Sequence, residues 1–158
     1  MEALHNAIKL REEGQVEAAI LILKSMLKKY PENADVNYQL AWCYDVMTLE
    51  KEAVPFYEKA ISIGLSTEDQ IEAIIGLGST YRTIGEYEKS KEILQKGIEM
   101  YDNKAMAVFL AMTLYNLNEH EQSVGILLKL IAETSSDIEI SKFKKAIHFY
   151  SDKLNEIF

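Results

Sequence analysis

The sequence predicts an all-α chain assembled from four copies of a helix-turn-helix unit, and three observations carry that prediction. Helix formers (Leu, Ile, Ala, Glu and Lys) dominate, while breakers are scarce, with seven Gly and two Pro in 158 residues. Apolar residues recur at helical spacing, as at Ile74, Leu77, Gly78 and Tyr81, and again at Ile93, Leu94, Gly97 and Ile98. The third observation is a repeat. Ala7, Ala41, Gly78 and Ala111 stand 34, 37 and 33 residues apart, and Ala19, Ala53, Ser90 and Ser123 keep the same gaps. The breakers Gly14, Thr48, Gly85 and Asn118 keep them too, as do Leu10, Tyr44, Tyr81 and Leu114, and Leu23, Tyr57, Leu94 and Leu127.

These ladders divide a single domain, residues 1–158, into repeats at approximately 1–33, 34–70, 71–103 and 104–136, followed by a capping helix at 137–158. In each repeat, one helix precedes the breaker and a second follows it. Gly is the natural residue for a left-handed turn and Asn the next best, which explains Gly85 and Asn118. The 37-residue gap inserts three residues after Leu65. There Thr67 and Gln70 read as a Thr-x-x-Gln capping box, so the first helix of the third repeat starts early. Ser136 and Glu139 read as a second box that opens a ninth helix. Its apolar stripe is Ile140, Phe143, Ile147, Tyr150 and Leu154, with Lys142, Lys144, Lys145 and Lys153 largely off it. A stacked array exposes an apolar face at its end, so residues 137–158 read as a terminal cap over Leu127 and Leu130.

Composition narrows the function. A net charge of −8 and a pI near 5.0 disfavour a nucleic-acid partner, which requires a concentrated basic face. No apolar run approaches the ~20 residues of a membrane span, and the N-terminal stretch is amphipathic rather than signal-like, so the cytoplasm is the expected compartment. The single cysteine, Cys43, cannot form an internal disulfide and reads as a small buried hydrophobe in "LAWCYD". Catalysis requires a nucleophile, an acid–base pair or a metal held in a pocket. His5, His120 and His148 fall in distant parts of the chain, and Glu119 and Glu121 beside His120 read as exposed turn charges rather than metal ligands. "GLGSTYRTIGEY" opens with Gly76-x-Gly78, yet Tyr81 stands where a dinucleotide fingerprint needs its third glycine, and no strand precedes it. Neither an enzyme nor a cofactor is expected.

"LGSTY" (Leu77–Tyr81) matches the Leu-Gly-x-x-Tyr core of the tetratricopeptide repeat, and "LAWCY" (Leu40–Tyr44) matches it with Ala for Gly. Ala53 with Tyr57 supplies the Ala-x-x-x-aromatic part, and Pro31 stands at the closing proline. The chain departs from the family at the opening Trp (Ala3, Asn37, Ile74 and Ala107 here) and at the later closing prolines (Leu65, Asp102 and Ser135). The chain therefore resembles the tetratricopeptide-repeat family over residues 1–135. The resemblance implies a right-handed superhelical solenoid whose first helices line a concave groove that holds a protein or peptide partner. Asp35, Tyr38, Trp42 and Asp45 share a helix face one step around from Asn37, Ala41 and Tyr44, which pack within the hairpin. By that resemblance they face the groove. The same register yields Leu4, Ile8 and Arg11, then Glu72, Ile75, Ser79 and Arg82, then Val108, Met112 and Tyr115.

The expected partner-binding residues are thus Tyr38, Trp42, Ile75, Arg82, Val108, Met112 and Tyr115, with no catalytic, cofactor or metal residues. Arg11 and Arg82 favour acidic flanks on the bound segment, and Asp35, Asp45 and Glu72 partly cancel that preference. Trp42 and Tyr38 either line an open groove or fill the space between neighbouring first helices. Relatives that grip chaperone tails use a clamp of Lys, Asn and Arg. The matching slots here are Leu4, Ile8, Gln39, Glu72 and Gly76, which do not form one. The sequence therefore reads as a non-catalytic interaction module for a helix or extended segment. The alternative reading is a self-associating assembly protein, a homo-oligomer joined through the groove or an apolar end.

Overall fold

The computed structural model describes residues 2–158, and every regular element among them is helical. In chain order these are α1 (Glu2–Glu12), α2 (Val16–Lys29), α3 (Ala34–Val46), α4 (Glu50–Ile63) and α5 (Thr67–Thr83). Then follow α6 (Tyr87–Tyr101), α7 (Lys104–Asn116), α8 (His120–Thr134), α9 (Ile138–Lys142) and α10 (Lys144–Tyr150). The helices fall into two compact units that meet in sequence at Glu86 and Tyr87. In the first, α1 packs on α2, α3 on α4, and each second helix on the next first helix. The other unit continues the pattern with α6 on α7 and α7 on α8.

The repeat ladder is visible in the backbone. Gly14, Thr48, Gly85 and Asn118 all take positive φ, at 79°, 56°, 85° and 63°. The residue after each donates its N–H to a carbonyl five residues back. Gln15 N–H reaches Leu10 O at 2.8 Å, Leu49 reaches Tyr44 at 2.9 Å, Glu86 reaches Tyr81 at 2.8 Å and Glu119 reaches Leu114 at 2.9 Å. That bond, closed over a left-handed residue, is the usual way a helix ends and satisfies a carbonyl that would otherwise lack a partner. The small-residue ladder fills the helix crossings: Ala7, Ala19, Ala41, Ala53 and Ala111 are each fully buried. One further ladder escapes a search for small and apolar residues. Asn33 and Asn103 occupy the same slot two repeats apart, and their side chains accept from Val36 N at 2.9 Å and Met106 N at 3.0 Å as helix N-caps.

Both expected capping boxes are displaced by one residue. Ser66, not Thr67, caps α5 by accepting from Asp69 N, while Gln70 Oε1 accepts from Leu65 N at 3.1 Å. The early start expected for this helix does occur, at Thr67. Asp137, not Ser136, caps α9 by accepting from Ile140 N at 2.9 Å. In each case the residue one position earlier or later already holds the extended backbone that a cap requires.

The expected single capping helix is also corrected. Residues 138–150 form two short helices that break at Phe143, and residues 151–158 form no regular helix. No residue of α9 or α10 is buried, and Phe143, Tyr150 and Leu154 of the expected stripe are exposed. α10 instead docks on α8 through its end. Ser151 is fully buried, and its carbonyl oxygen occupies the space that a Cβ on Gly125 would need. Asn155 Nδ2 donates to Glu121 Oε2 at 2.7 Å. A glycine on α8 lets the segment approach closely, and of the expected stripe only Ile140 and Ile147 are half-buried.

In the first unit, the Tyr57 ring of α4 lies against the backbone of α5 at Gly76. A Cβ there would sit 2.7 Å from the Tyr57 hydroxyl oxygen. The hydroxyl donates to Asp45 Oδ2 at 2.7 Å, so the ring cannot swing away without losing that bond.

Three stability measurements follow. Gly76→Ala gains helix propensity yet must displace Tyr57 from Asp45. Overpacking wins, and thermal melting should show a loss of about 1–3 kcal/mol. Thr48→Gly relieves a β-branched residue of its left-handed backbone and should raise stability by about 1 kcal/mol. Gly125→Ala should unseat the segment after α10, so chymotrypsin should cut after Phe149 and Tyr150 markedly faster than in the unsubstituted chain. Equal cleavage rates would show that Ser151 does not anchor the segment.

Candidate functional site

The first helices of the N-terminal unit, α1, α3 and α5, lie side by side, and polar side chains bridge them. The Arg11 guanidinium of α1 stacks over the Trp42 ring of α3 at 3.5 Å from its centroid. Such a contact stabilises by roughly 0.5–2 kcal/mol, more as water is excluded. The Arg11 side chain is only 7% exposed, and its nearest carboxylate oxygen, on Glu12, is 3.8 Å away. Nη1 is buried without a hydrogen-bond partner. The Trp42 ring in turn lies 5.7 Å from that of Tyr38, which lies 6.3 Å from Tyr57. Tyr38 is 3% exposed, and its hydroxyl donates to Glu72 Oε2 on α5 at 2.8 Å.

A second bridge joins α3, α4 and α5. Asp45 accepts from Tyr57 Oη at 2.7 Å through Oδ2 and from Thr80 Oγ1 at 2.9 Å through Oδ1. Burial pushes the Asp45 carboxyl above its ordinary range, while the two hydroxyl donors pull it back. Burial likewise raises the Tyr38 and Tyr57 phenols, and the carboxylates they bond add to the effect. Both hydroxyls therefore stay protonated as donors. Tyr38 thus belongs mainly to the packing between first helices, whereas Trp42, Ile75 and Arg82 are half-buried and keep part of their surface outward. The arginine that sequence reasoning aimed at a ligand is instead folded under Trp42. Asp35, Glu68 and Glu72 remain exposed.

In the C-terminal unit, Val108, Met112 and Tyr115 follow one another on one side of α7, 39%, 39% and 62% exposed. The Tyr115 ring lies 4.9 Å from the His120 ring. Their neighbours Leu110, Ala111, Thr113 and Leu114 are buried, so the helix is sharply divided between a core side and an open side.

Cys43 and the two carboxylates beside His120 are engaged in the fold. Burial pushes the Cys43 thiol up to about 11, which leaves almost no nucleophilic thiolate at neutral pH. Glu119 pairs with Lys91 at 2.7 Å and Glu121 accepts from Asn155, so both carboxylates beside His120 serve the fold. Among the described residues, no group of three or more His, Cys, Asp or Glu side chains could hold a metal, and no helix is long and apolar enough to cross a membrane. Sequence reasoning placed Tyr38, Trp42 and Glu72 on the outward register. It missed that Thr80 and Tyr57 meet at Asp45, because helical periodicity carries no sign of pairings between separate helices.

Known proteins with related sequences and structures share this architecture. Residues 34–154 match a family model described as Tetratrico peptide repeat, and residues 10–47 match a second, described as Tetratricopeptide repeat. The protein IFIT1 homolog B of Homo sapiens is 28% identical over 111 residues, which cover 57% of this chain but only 23% of that protein. Among solved structures, MamA superposes with a TM-score of 0.75 at 21% identity, covering 93% of this chain and 90% of that one. YrrB, described as a TPR protein with an unusual peptide-binding site, gives 0.76 at 18% identity over 99% of this chain and 78% of that one. A kinesin light chain with nearly identical TPR-like repeats, from Podosopora anserina, gives 0.69 at 17% identity, covering 98% and 85%. The first of these matches spans most of the sequence and its helix-turn-helix ladder, and the chain belongs to the tetratricopeptide-repeat family.

Proposed function

We propose that the chain is a non-catalytic docking module that holds a helix or extended segment of a partner protein. The observation that carries this reading is the outward surface left by α1, α3 and α5. Trp42 is propped from below by Arg11 and flanked by Tyr38, so a large aromatic ring is held in a fixed orientation with part of its surface open. Rigid, half-exposed Trp and Tyr side chains are the usual anchors of protein interfaces. Ile75 adds apolar surface beside it on α5, and Arg82 ends the same register. In the C-terminal unit, Val108, Met112 and Tyr115 offer α7's exposed side as a second contact. An amphipathic or extended segment suits such surfaces, its apolar side chains meeting the apolar ones here. The tetratricopeptide-repeat relatives support an interaction role in general, and YrrB is described as having a peptide-binding site.

The test is capture of a partner from the native cell by the full chain, followed by affinity measurement with Trp42→Ala. Affinity should fall by about 2 kcal/mol or more. Melting must be followed in parallel, because the substitution also removes the Arg11 stack. A variant that melts earlier yet binds normally while folded would make Trp42 purely structural.

A further inference from the structure

Two surfaces of this chain are uncovered, and they are opposite in charge. The first is the outward side of α3 and α5. α3 contains no basic residue and carries Asp35 and Asp45; α5 carries Glu68, Asp69 and Glu72, with Arg82 its only basic residue. Asp35 shares its helix face with Tyr38 and Trp42, as Glu68 and Glu72 do with Ile75. Arg11, the cation nearest this aromatic surface, is stacked and 7% exposed, so it forms no contact with the exposed carboxylates Asp35, Glu68 and Glu72, which outnumber it.

The second surface is the segment from α9 to the last residue described. The Phe149, Tyr150 and Phe158 rings form a mutual cluster, with centroids 5.1, 6.1 and 5.8 Å apart. All three are more than half exposed, as is Ile157. Lys153 lies over the Phe149 ring at 4.6 Å, and Lys145 stands one helical turn before Phe149. Lys142 pairs with Glu139 and Lys153 with Asp152, whereas Lys144 and Lys145 have no ion-pair partner among the described residues. Residues 142–158 carry four lysines against Asp152 and Glu156, so an aromatic segment with an excess of positive charge is held outward in a chain whose net charge is −8.

We propose that these two surfaces are each other's partners in different copies of the chain: the basic aromatic segment 142–158 of one copy docks on the acidic, Trp42-bearing side of α3 and α5 of the next. This rests on reading that side as the docking surface, and it names the occupant. Exposed aromatic rings gain by burial against Trp42 and Ile75, while Lys144 and Lys145 meet Asp35, Glu68 and Glu72. An apolar hollow lined by Leu21, Ile22, Met26 and Tyr30 carries Lys29 with Lys24 and Lys28 nearby on α2, and the like charge disfavours it as the receptor. Because the two patches differ, each copy presents one of each, and the contact is heterologous.

The test is sedimentation velocity on the full chain over a concentration series, at low and at high salt. The unsubstituted chain should associate with rising concentration, and high salt should weaken this. Asp35→Lys/Glu68→Lys leaves the Tyr38–Glu72 bond in place, and Lys144→Glu/Lys145→Glu alters only exposed side chains. Each double variant alone should associate at least tenfold more weakly while remaining folded; the first pair should melt slightly earlier, because Asp35 and Glu68 stand in the first turns of α3 and α5. Mixing the two should restore association, because each then offers the charge the other lacks. A chain that stays monomeric at every concentration overturns the proposal, as does association that salt and both variants leave unchanged. Failure of the mixture to recover association overturns it too, as does a monomer whose tail binds phosphatidylglycerol vesicles instead. A monomer that still captures a foreign partner through Trp42 would refute this inference and leave the docking role standing.

Discussion

Four backbone hydrogen bonds of 2.8–2.9 Å, each closed over a left-handed residue, are the constraint on which the fold depends. A helix of eleven to seventeen residues with one apolar stripe cannot bury that stripe alone; it needs a second helix returning alongside. The turn decides where the return begins. When Leu10, Tyr44, Tyr81 and Leu114 each accept the bond, the chain leaves the first helix at the same point of its rotation every time. The small residues three positions before each acceptor then meet the partner helix, which is why Ala7, Ala41 and Ala111 lie fully buried. Three of the four turns use Gly or Asn. Thr48 holds the same conformation at 56° despite its branched side chain, which shows how far the packing on either side of it overrides local preference.

Polar groups between helices set the character of the outward surface. In the N-terminal unit, Asp45 collects hydroxyls from α4 and α5, and Glu72 collects one from α3. Each carboxylate is thereby tied to a fixed place along the neighbouring helix. Arg11 finds its stabilisation in the face of Trp42 rather than in a carboxylate. The surface that results is aromatic with negative edges, although the residues contributing to it include arginine. Counting charges on a helix face would set Arg11 against these carboxylates at the surface, because the count ignores which charges are drawn inward.

The C-terminal segment shows the same principle from the other side. An apolar stripe at helical spacing normally marks a buried face, yet here Phe143, Tyr150 and Leu154 are exposed. The helix breaks at Phe143, and Ser151 rather than the stripe reaches Gly125 on α8. Once the backbone is anchored there, the aromatic rings are left to pack on one another.

The sequence by itself determined the repeat, its register, the helix-turn-helix units and the placement of the turn residues. Those features rest on local chemistry: φ preference at the turn, side-chain size at a crossing and the 3.6-residue period. It also listed the residues of the outward register, from Tyr38 and Trp42 to Tyr115. Only the tertiary structure decided what each of them does. Tyr38 is drawn into the stack by Glu72, 34 residues away, and Arg11 is folded beneath Trp42, 31 residues away. Asp45 becomes the meeting point of Tyr57 and Thr80. The terminal helix is split at Phe143, and its segment is seated where Gly125, on another helix, lets the backbone at Ser151 come close. Contacts between residues far apart in sequence leave no periodic trace in it, since each depends on the distance and angle at which two separately formed helices meet.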